Sequence, residues 1–268
     1  MIEIEGLEKK FYDSKRGEVR AVDGIDLTVP KGKIFGLLGP NGAGKTTTLR
    51  ILGTVLKPTA GTARVCGYNV ETNPIEVRRH IGYLSANTGI YERMTPREMI
   101  RYFGTLYGMN EERILERTEV ILDMLQMREF ADSMCMKLSS GQKQKSSIAR
   151  TIVHDPEVLI FDEPTVSLDV LVARDVVEFI ESCRSAERTV ILSTHIMSEA
   201  DKLCDEIAII DHGRIITHGE KNTLLEQSSA PNLEEFFFGH IDRERPEELK
   251  EEQAQPKSFW ARLVGSKA

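Results

Sequence analysis

Residues 39–47 read Gly39-Pro40-Asn41-Gly42-Ala43-Gly44-Lys45-Thr46-Thr47. The run fits the phosphate-loop pattern G-x-x-x-x-G-K-[ST]. Its setting matters as much as its letters. Upstream lies the apolar run Ile34-Phe35-Gly36-Leu37-Leu38, closed by Gly39-Pro40, which reads as a strand buried on both faces. Downstream, Leu49, Ile51, Leu52, Val55 and Leu56 recur with helical spacing. A strand, a glycine-rich loop and a helix in this order make a phosphate cradle. The glycines let the backbone wrap an anion without Cβ clashes. Successive N–H groups and the helix N-terminus then point at it. Lys45 places a charge on the β- and γ-phosphates, and Thr46 offers a hydroxyl to Mg²⁺. Gly39, Asn41, Gly42, Ala43, Gly44, Lys45, Thr46 and Thr47 are the candidate nucleotide-binding residues, and by themselves they imply only a nucleoside triphosphatase.

Outward from the loop, the chain alternates strands and helices. Period-two alternation at Ile2/Ile4 and from Val19 to Val29 predicts half-buried strands. Further strands are expected at 81–84, 158–161, 189–193, 207–210 and 214–217. Helices are expected over Pro96–Tyr107, Glu111–Leu125, from Ser139 onward, and over Leu171–Ala186. Strands alternating with helices imply an α/β fold, a parallel sheet with helices on both faces. The helical block at about 88–152 reads as an insertion into that core. No motif repeats.

Two strand ends carry chemistry. Val158-Leu159-Ile160-Phe161-Asp162-Glu163 is an apolar strand delivering adjacent carboxylates to the ligand crevice of an α/β sheet. Asp162 is the candidate Mg²⁺ ligand and Glu163 the candidate general base that polarises water. Pro164 and Ser167-Leu168-Asp169 follow directly. Val190-Ile191-Leu192-Ser193-Thr194-His195 is a second buried strand, ending in a histidine placed to hydrogen-bond a γ-phosphate and sense its loss.

Leu138-Ser139-Ser140-Gly141-Gln142 stands just before a helical run. Ser139 caps that helix, and the N–H groups that follow make a second anion site. This segment resembles the ABC signature Leu-Ser-Gly-Gly-Gln. The order of phosphate loop, signature, Asp-Glu-Pro, Ser-Leu-Asp and Ser-Thr-His resembles the ATP-binding subunits of ABC transporters over roughly residues 1–225. The resemblance implies a P-loop NTPase (RecA-like) core with an N-terminal antiparallel β-subdomain and an inserted α-helical subdomain. It implies ATP and Mg²⁺ as ligands, with Lys45, Glu163 and His195 as catalytic residues. It further implies that two copies pack head to tail, so that Ser139, Gly141 and Gln142 contact the ATP of the opposite chain and Asp169 bridges the pair. Phe11 stands at the position of the adenine-stacking aromatic; a core phenylalanine is the other reading. Two departures stand out. Ser140 replaces a signature glycine. Ser85-Ala86-Asn87 replaces the family's Pro-Gln after the strand 81–84, leaving Asn87 as the candidate substitute for a metal-contacting glutamine.

The stretch Thr88-Gly89-Ile90-Tyr91-Glu92-Arg93-Met94-Thr95-Pro96-Arg97-Glu98, continuing to Gly104, is similar to sodium-extruding, NatA-type ABC exporters, as is Lys15-Arg16-Gly17-Glu18-Val19-Arg20-Ala21-Val22-Asp23. The resemblance implies a peripheral protein on the cytoplasmic face of the cell membrane, paired with a second ATP-binding subunit and an ABC permease. The alternative is a soluble ABC ATPase that remodels ribosomes or nucleic-acid complexes; its translation-type members usually carry two cassettes in one chain, its DNA-repair members a long coiled coil. A small-molecule kinase would have no use for the signature.

Composition sets the outer bounds. The 268 residues are 40% hydrophobic and 29% charged, with a formal net charge of −7, an ordinary globular balance that argues against nucleic acid as a partner. No secretory signal or bilayer-length apolar run is read, so a separate chain is expected to supply any pore. Cys66, Cys135, Cys183 and Cys204 are widely spaced, which predicts buried reduced thiols in preference to a zinc site. Residues 226–268 form a C-terminal extension expected to be partly disordered, with a solvated stretch at 241–257 and a short apolar cluster at Phe259–Val264.

Overall fold

Two β-sheets organise the computed structural model, which describes residues 2–14, 17–85 and 89–244, the side chains of 243 and 244 excepted. The first sheet is antiparallel, in the order β2 (Gly17–Val29), β1 (Ile2–Asp13), β4 (Ala60–Val65), β5 (Tyr68–Asn69). The second has the order β10 (Arg214–Glu220), β9 (Glu206–Asp211), β3 (Ile34–Leu38), β8 (Thr189–Thr194), β7 (Val158–Asp162), β6 (Ile81–Ser85). Its strands run parallel from β9 to β6, and β10 adds an antiparallel edge. Every residue of β3, β7 and β8 is buried, as a parallel sheet covered on both faces requires.

The phosphate loop leads into α1 (Lys45–Leu52), and α2 (Pro74–His80) precedes β6. The inserted helices are α3 (Pro96–Leu106), α4 (Glu111–Met124) and α5 (Ser140–Ile152). Then come α6 (Val170–Ser182), α7 (Met197–Leu203), α8 (Lys221–Ser228) and α9 (Leu233–Glu244). Helix α3 opens with a capping box between Thr95 and Glu98. The guanidinium of Arg117 on α4 donates to the carbonyls of Ile152 (3.0 Å) and Val153 (3.3 Å), which tie off the end of α5.

The structure departs from the sequence reading in several places. Strand β1 continues well past Ile4 to Asp13. Register shifts between Ile4 and Leu7 and again between Leu7 and Glu8 break the period-two pattern that identifies a strand. Between Leu56 and Ile81, where no element is read, lie β4, β5 and α2, each of seven residues or fewer. Helix α6 stops at Ser182 instead of Ala186, because the Ser185 hydroxyl accepts the N–H of Arg188 (3.2 Å) and offers the backbone a turn. Cys135, Cys183 and Cys204 are buried and free, but Cys66 is only half-buried. It stands with Gly67 in the two-residue turn between β4 and β5.

Packing divides the chain at Leu224/Leu225. In the second unit, α9 buries Leu233, Phe236, Phe237 and Ile241 at helical spacing. The expectation of a solvated tail from 241 is therefore corrected for residues 241–244, which continue α9. The apolar cluster 259–264 lies outside the described residues.

His154, just past α5, joins the inserted helices to the sheet. Its Nε2 donates to the carbonyl of Ile81 (2.9 Å), and its ring stacks on Tyr107 at 3.5 Å between centroids. Burial depresses its pKa from 6.5 to about 4. In this window the unfolded chain takes up a proton that the folded chain refuses. The stability that the neutral ring contributes is thus complete above about pH 6.5 and lost as pH falls toward 4. Urea unfolding across this range should show a steeper loss for the native chain than for His154→Gln.

Candidate functional site

The C-terminal edge of the parallel sheet gathers the phosphate loop and both chemistry-bearing strand ends. Helix α1 begins after Gly44 with no side-chain cap, so its first N–H groups remain available for an anion. Lys45 is 4% exposed, and its ammonium donates to the carbonyls of Gly39 (2.7 Å) and Pro40 (3.2 Å). Its third close partner is Glu163, whose Oε1 lies 3.3 Å away. The loop, Ala21 and Glu163 line a cleft of about 210 Å³.

Two glycines of the loop have left-handed backbone, for different reasons. Gly42 (φ 83) faces open space, whereas at Gly44 (φ 112) a Cβ would stand 2.4 Å from the carbonyl oxygen of Ala21. The loop is therefore seated against β2, a contact its own pattern does not announce.

Asp162 closes β7 and is buried. Its Oδ1 accepts the hydroxyl of Thr46 at 3.0 Å and that of Ser193 at 2.8 Å. Glu163 follows in the left-handed region (φ 51), a costly conformation for a non-glycine residue and typical of functional positions. Its N–H is held by the carbonyl and hydroxyl oxygens of Ser193, both at 3.1 Å. This turns its carboxylate between Lys45 and His195, whose Nδ1 is 3.4 Å from Glu163 Oε1. His195 is half-exposed beside the cleft. Lys45, Thr46, Asp162, Glu163 and His195 thus come together.

Ser193 is the residue that sequence reasoning passes over. Only the fold reveals it, where β7 and β8 pair with Asp162 opposite Ser193. Gln144 is a second such residue, its amide donating to the carbonyl of Pro164 at 2.7 Å.

The signature is built separately. The Ser139 hydroxyl accepts the N–H of Gln142 (3.3 Å), and the side-chain Oε1 of Gln142 accepts the N–H of Ser139 (3.0 Å). This reciprocal box starts α5. Gly141 packs on Val172 so closely that a Cβ would lie 2.5 Å from its Cγ2, which joins the start of α5 to α6. None of Ser139, Gly141 and Gln142 lines the phosphate-loop cleft. Asp169 caps α6, its Oδ1 accepting the N–H groups of Leu171 and Val172 at 3.1 Å each. Val170 and Leu171 beside it are exposed. Phe11 is 42% exposed on β1, with the Lys9 ammonium 5.2 Å from its ring centre, so the core reading of this residue fails. Asn87 lies outside the described residues.

Comparison with known proteins gives this arrangement a context. The ABC transporter family model matches residues 22–166. The chain is 38% identical over 244 residues to the ABC transporter ATP-binding protein NatA of Bacillus subtilis (strain 168), covering 91% of this chain and 99% of that one. It is 35% identical over 237 residues to the Nod factor export ATP-binding protein I of Ralstonia nicotianae, covering 88% and 72%. Among solved structures, an ATP-binding subunit of an ABC transporter superposes with a TM-score of 0.80 at 26% identity, covering 90% of this chain and 99% of that one.

The two left-handed glycines should separate cleanly when ATP affinity is measured by equilibrium titration. Gly42→Ala meets only backbone strain, about 1–2 kcal/mol, and should weaken binding about tenfold. Gly44→Ala adds a clash with a backbone carbonyl that no rotamer relieves, and should weaken it more than about 100-fold.

Proposed function

Since the chain belongs to the ABC transporter family of ATP-binding, ATP-hydrolysing proteins, we propose that it is the energising subunit of an exporter, working at the cytoplasmic face of the membrane on a separate permease. The observation that carries the reading is one cleft lined by Lys45, Thr46 and Glu163, with Asp162 bonded to Thr46 and His195 set against Glu163. Among the described residues no helix is long and apolar enough to cross a membrane, in keeping with a pore supplied by another chain.

Each residue has a distinct proposed task. The loop N–H groups and Lys45 grip the β- and γ-phosphates of ATP. Thr46 Oγ1 and Asp162 Oδ1 are hard oxygen donors 3.0 Å apart, a fit for Mg²⁺, which binds through one or two such groups together with phosphate oxygens. Bound there, Mg²⁺ neutralises developing phosphate charge. A γ-phosphate oxygen replaces Glu163 as the third partner of Lys45. Glu163 is then free to polarise the attacking water. His195, against the same carboxylate, reaches the γ-phosphate from the other side and registers its departure.

The signature helix of the same chain does not contribute to this cleft. On the resemblance to ABC ATP-binding subunits, two chains close head to tail, each setting its α5 N-terminus against the other's ATP. The exposed Val170 and Leu171 beside Asp169 suit such a partner face. Closure moves the inserted helices, where Tyr83, Ile90, Tyr91, Phe103, Tyr107 and Arg150 line a cleft of about 440 Å³. A cytoplasmic helix of the permease seated there follows the movement. The stretches 15–23 and 88–104, which resemble sodium-extruding exporters, support sodium ions as cargo.

Glu163→Gln should retain ATP binding, slow turnover by about 100-fold or more, and accumulate ATP-bound dimers in sedimentation. Ordinary hydrolysis by this variant removes Glu163 as the base. Sodium as cargo is checked in sodium-loaded vesicles carrying the chain with its permease: ATP should drive sodium out, and Lys45→Ala should stop it.

A further inference from the structure

At the opposite edge of the parallel sheet, three metal-ligating side chains from three separate segments converge. Strands β6 and β7 pair with Ile81 opposite Val158, so the residues just before them, His80 and Glu157, are neighbours. His80 Nδ1 and Glu157 Oε1 are 2.7 Å apart. The turn between β4 and β5 brings Cys66 to the same place, and one ligand atom from each of the three lies within 4.8 Å of the other two. Tyr68, just after that turn, stacks on the His80 ring at 5.2 Å with 18° between planes, which fixes the ring's orientation. The N–H of Thr189 donates to the Glu157 carbonyl at 2.9 Å, which fixes the backbone at Glu157.

The backbone at Cys66 is a second, independent sign. Cys66 and Gly67 have φ 50 and 82, both left-handed. A two-residue hairpin turn of this kind favours Asn, Asp or Gly at its first position. A cysteine held there against its conformational preference, with its sulfur beside an imidazole and a carboxylate, points to a use for the sulfur.

We propose that Cys66, His80 and Glu157 bind one Zn²⁺ ion, with water as the fourth ligand. Thiolate, imidazole and carboxylate are the donors zinc takes, at about 2.0–2.3 Å. The mixed sulfur–nitrogen–oxygen set selects against Mg²⁺, which the all-oxygen pair Thr46 and Asp162 suits instead. His80 and Glu157 are partly exposed, which leaves the ion a path from solvent. On binding, the Cys66 thiol releases its proton to water, and the His80–Glu157 hydrogen bond gives way to two bonds to the metal. The site lies at the start of β7, and Asp162 and Glu163 at its end, a five-residue strand of about 17 Å. The ion therefore takes no part in hydrolysis. It pins the turn of the antiparallel sheet to the edge of the parallel one.

Co²⁺, a spectroscopic stand-in for Zn²⁺, tests this in the full chain with Mg²⁺ and ATP present. One Co²⁺ per chain should give a thiolate-to-cobalt charge-transfer band that Zn²⁺ abolishes, and Zn²⁺ alone should raise the melting temperature. Cys66→Asn suits the left-handed turn and so keeps the fold. It should erase the band and the melting shift, and weaken Zn²⁺ binding by at least the roughly 10–100-fold that loss of even an outer-sphere partner costs. His80→Gln should weaken binding comparably. A cobalt complex without a thiolate band, a band that survives Cys66→Asn, or a melting temperature indifferent to Zn²⁺ would each overturn the proposal.

Discussion

One buried oxygen, Oδ1 of Asp162, organises the phosphate end of this protein. It accepts from Thr46 at the start of α1 and from Ser193 on β8 while itself ending β7. A buried carboxylate must be hydrogen-bonded or it is prohibitively costly to desolvate. The two hydroxyls meet that demand, and in doing so they fasten the phosphate-loop helix to two strands. Ser193 then holds the N–H of Glu163, so the same network sets the left-handed turn that aims the next carboxylate at Lys45. The buried carboxylate and the aimed one are adjacent in sequence, yet their tasks diverge because the backbone reverses hand between them.

Much of this could be read from the chain, and the reasons are physical. The phosphate loop is legible because few residue types can bring a backbone round an anion, which makes the pattern dense in glycine. The buried strands β3, β7 and β8 are legible because a strand covered on both faces must be apolar throughout. Their chemistry lies at their ends, where the apolar run stops. The cap at Ser139 is legible because capping is local to the first turn of its helix.

What was illegible is non-local or short. Ser193 matters through cross-strand register, which no window of sequence encodes. The seat of Gly44 against the Ala21 carbonyl depends on where β2 passes, some twenty residues away in sequence. Strand β1 hides behind its bulges, and α2 and β5 are too brief for periodicity to accumulate. Phe11 was ambiguous because an aromatic on a strand reads alike whether its face is covered or open; only its exposure decides. Cys66 misled for a related reason. Residue type predicts a buried thiol, but the turn that half-exposes it is made by pairing between β4 and β5.

The parallel sheet gives the protein two chemically distinct edges. At the C-terminal edge, strand ends and a helix N-terminus converge, and the site they form is anionic in its ligand and oxygen-rich in its donors. At the N-terminal edge, β6 and β7 begin side by side, and the side chains preceding them face the turn of the other sheet. A rigid strand separates these edges but also joins them, since β7 carries Glu157 into one and Asp162 into the other. A link that holds the antiparallel sheet to the start of β7 would constrain the frame against which the phosphate loop is seated, because Ala21 belongs to that antiparallel sheet and touches Gly44. The two edges thus share a scaffold, β7, which follows Glu157 at one and ends in Asp162 at the other.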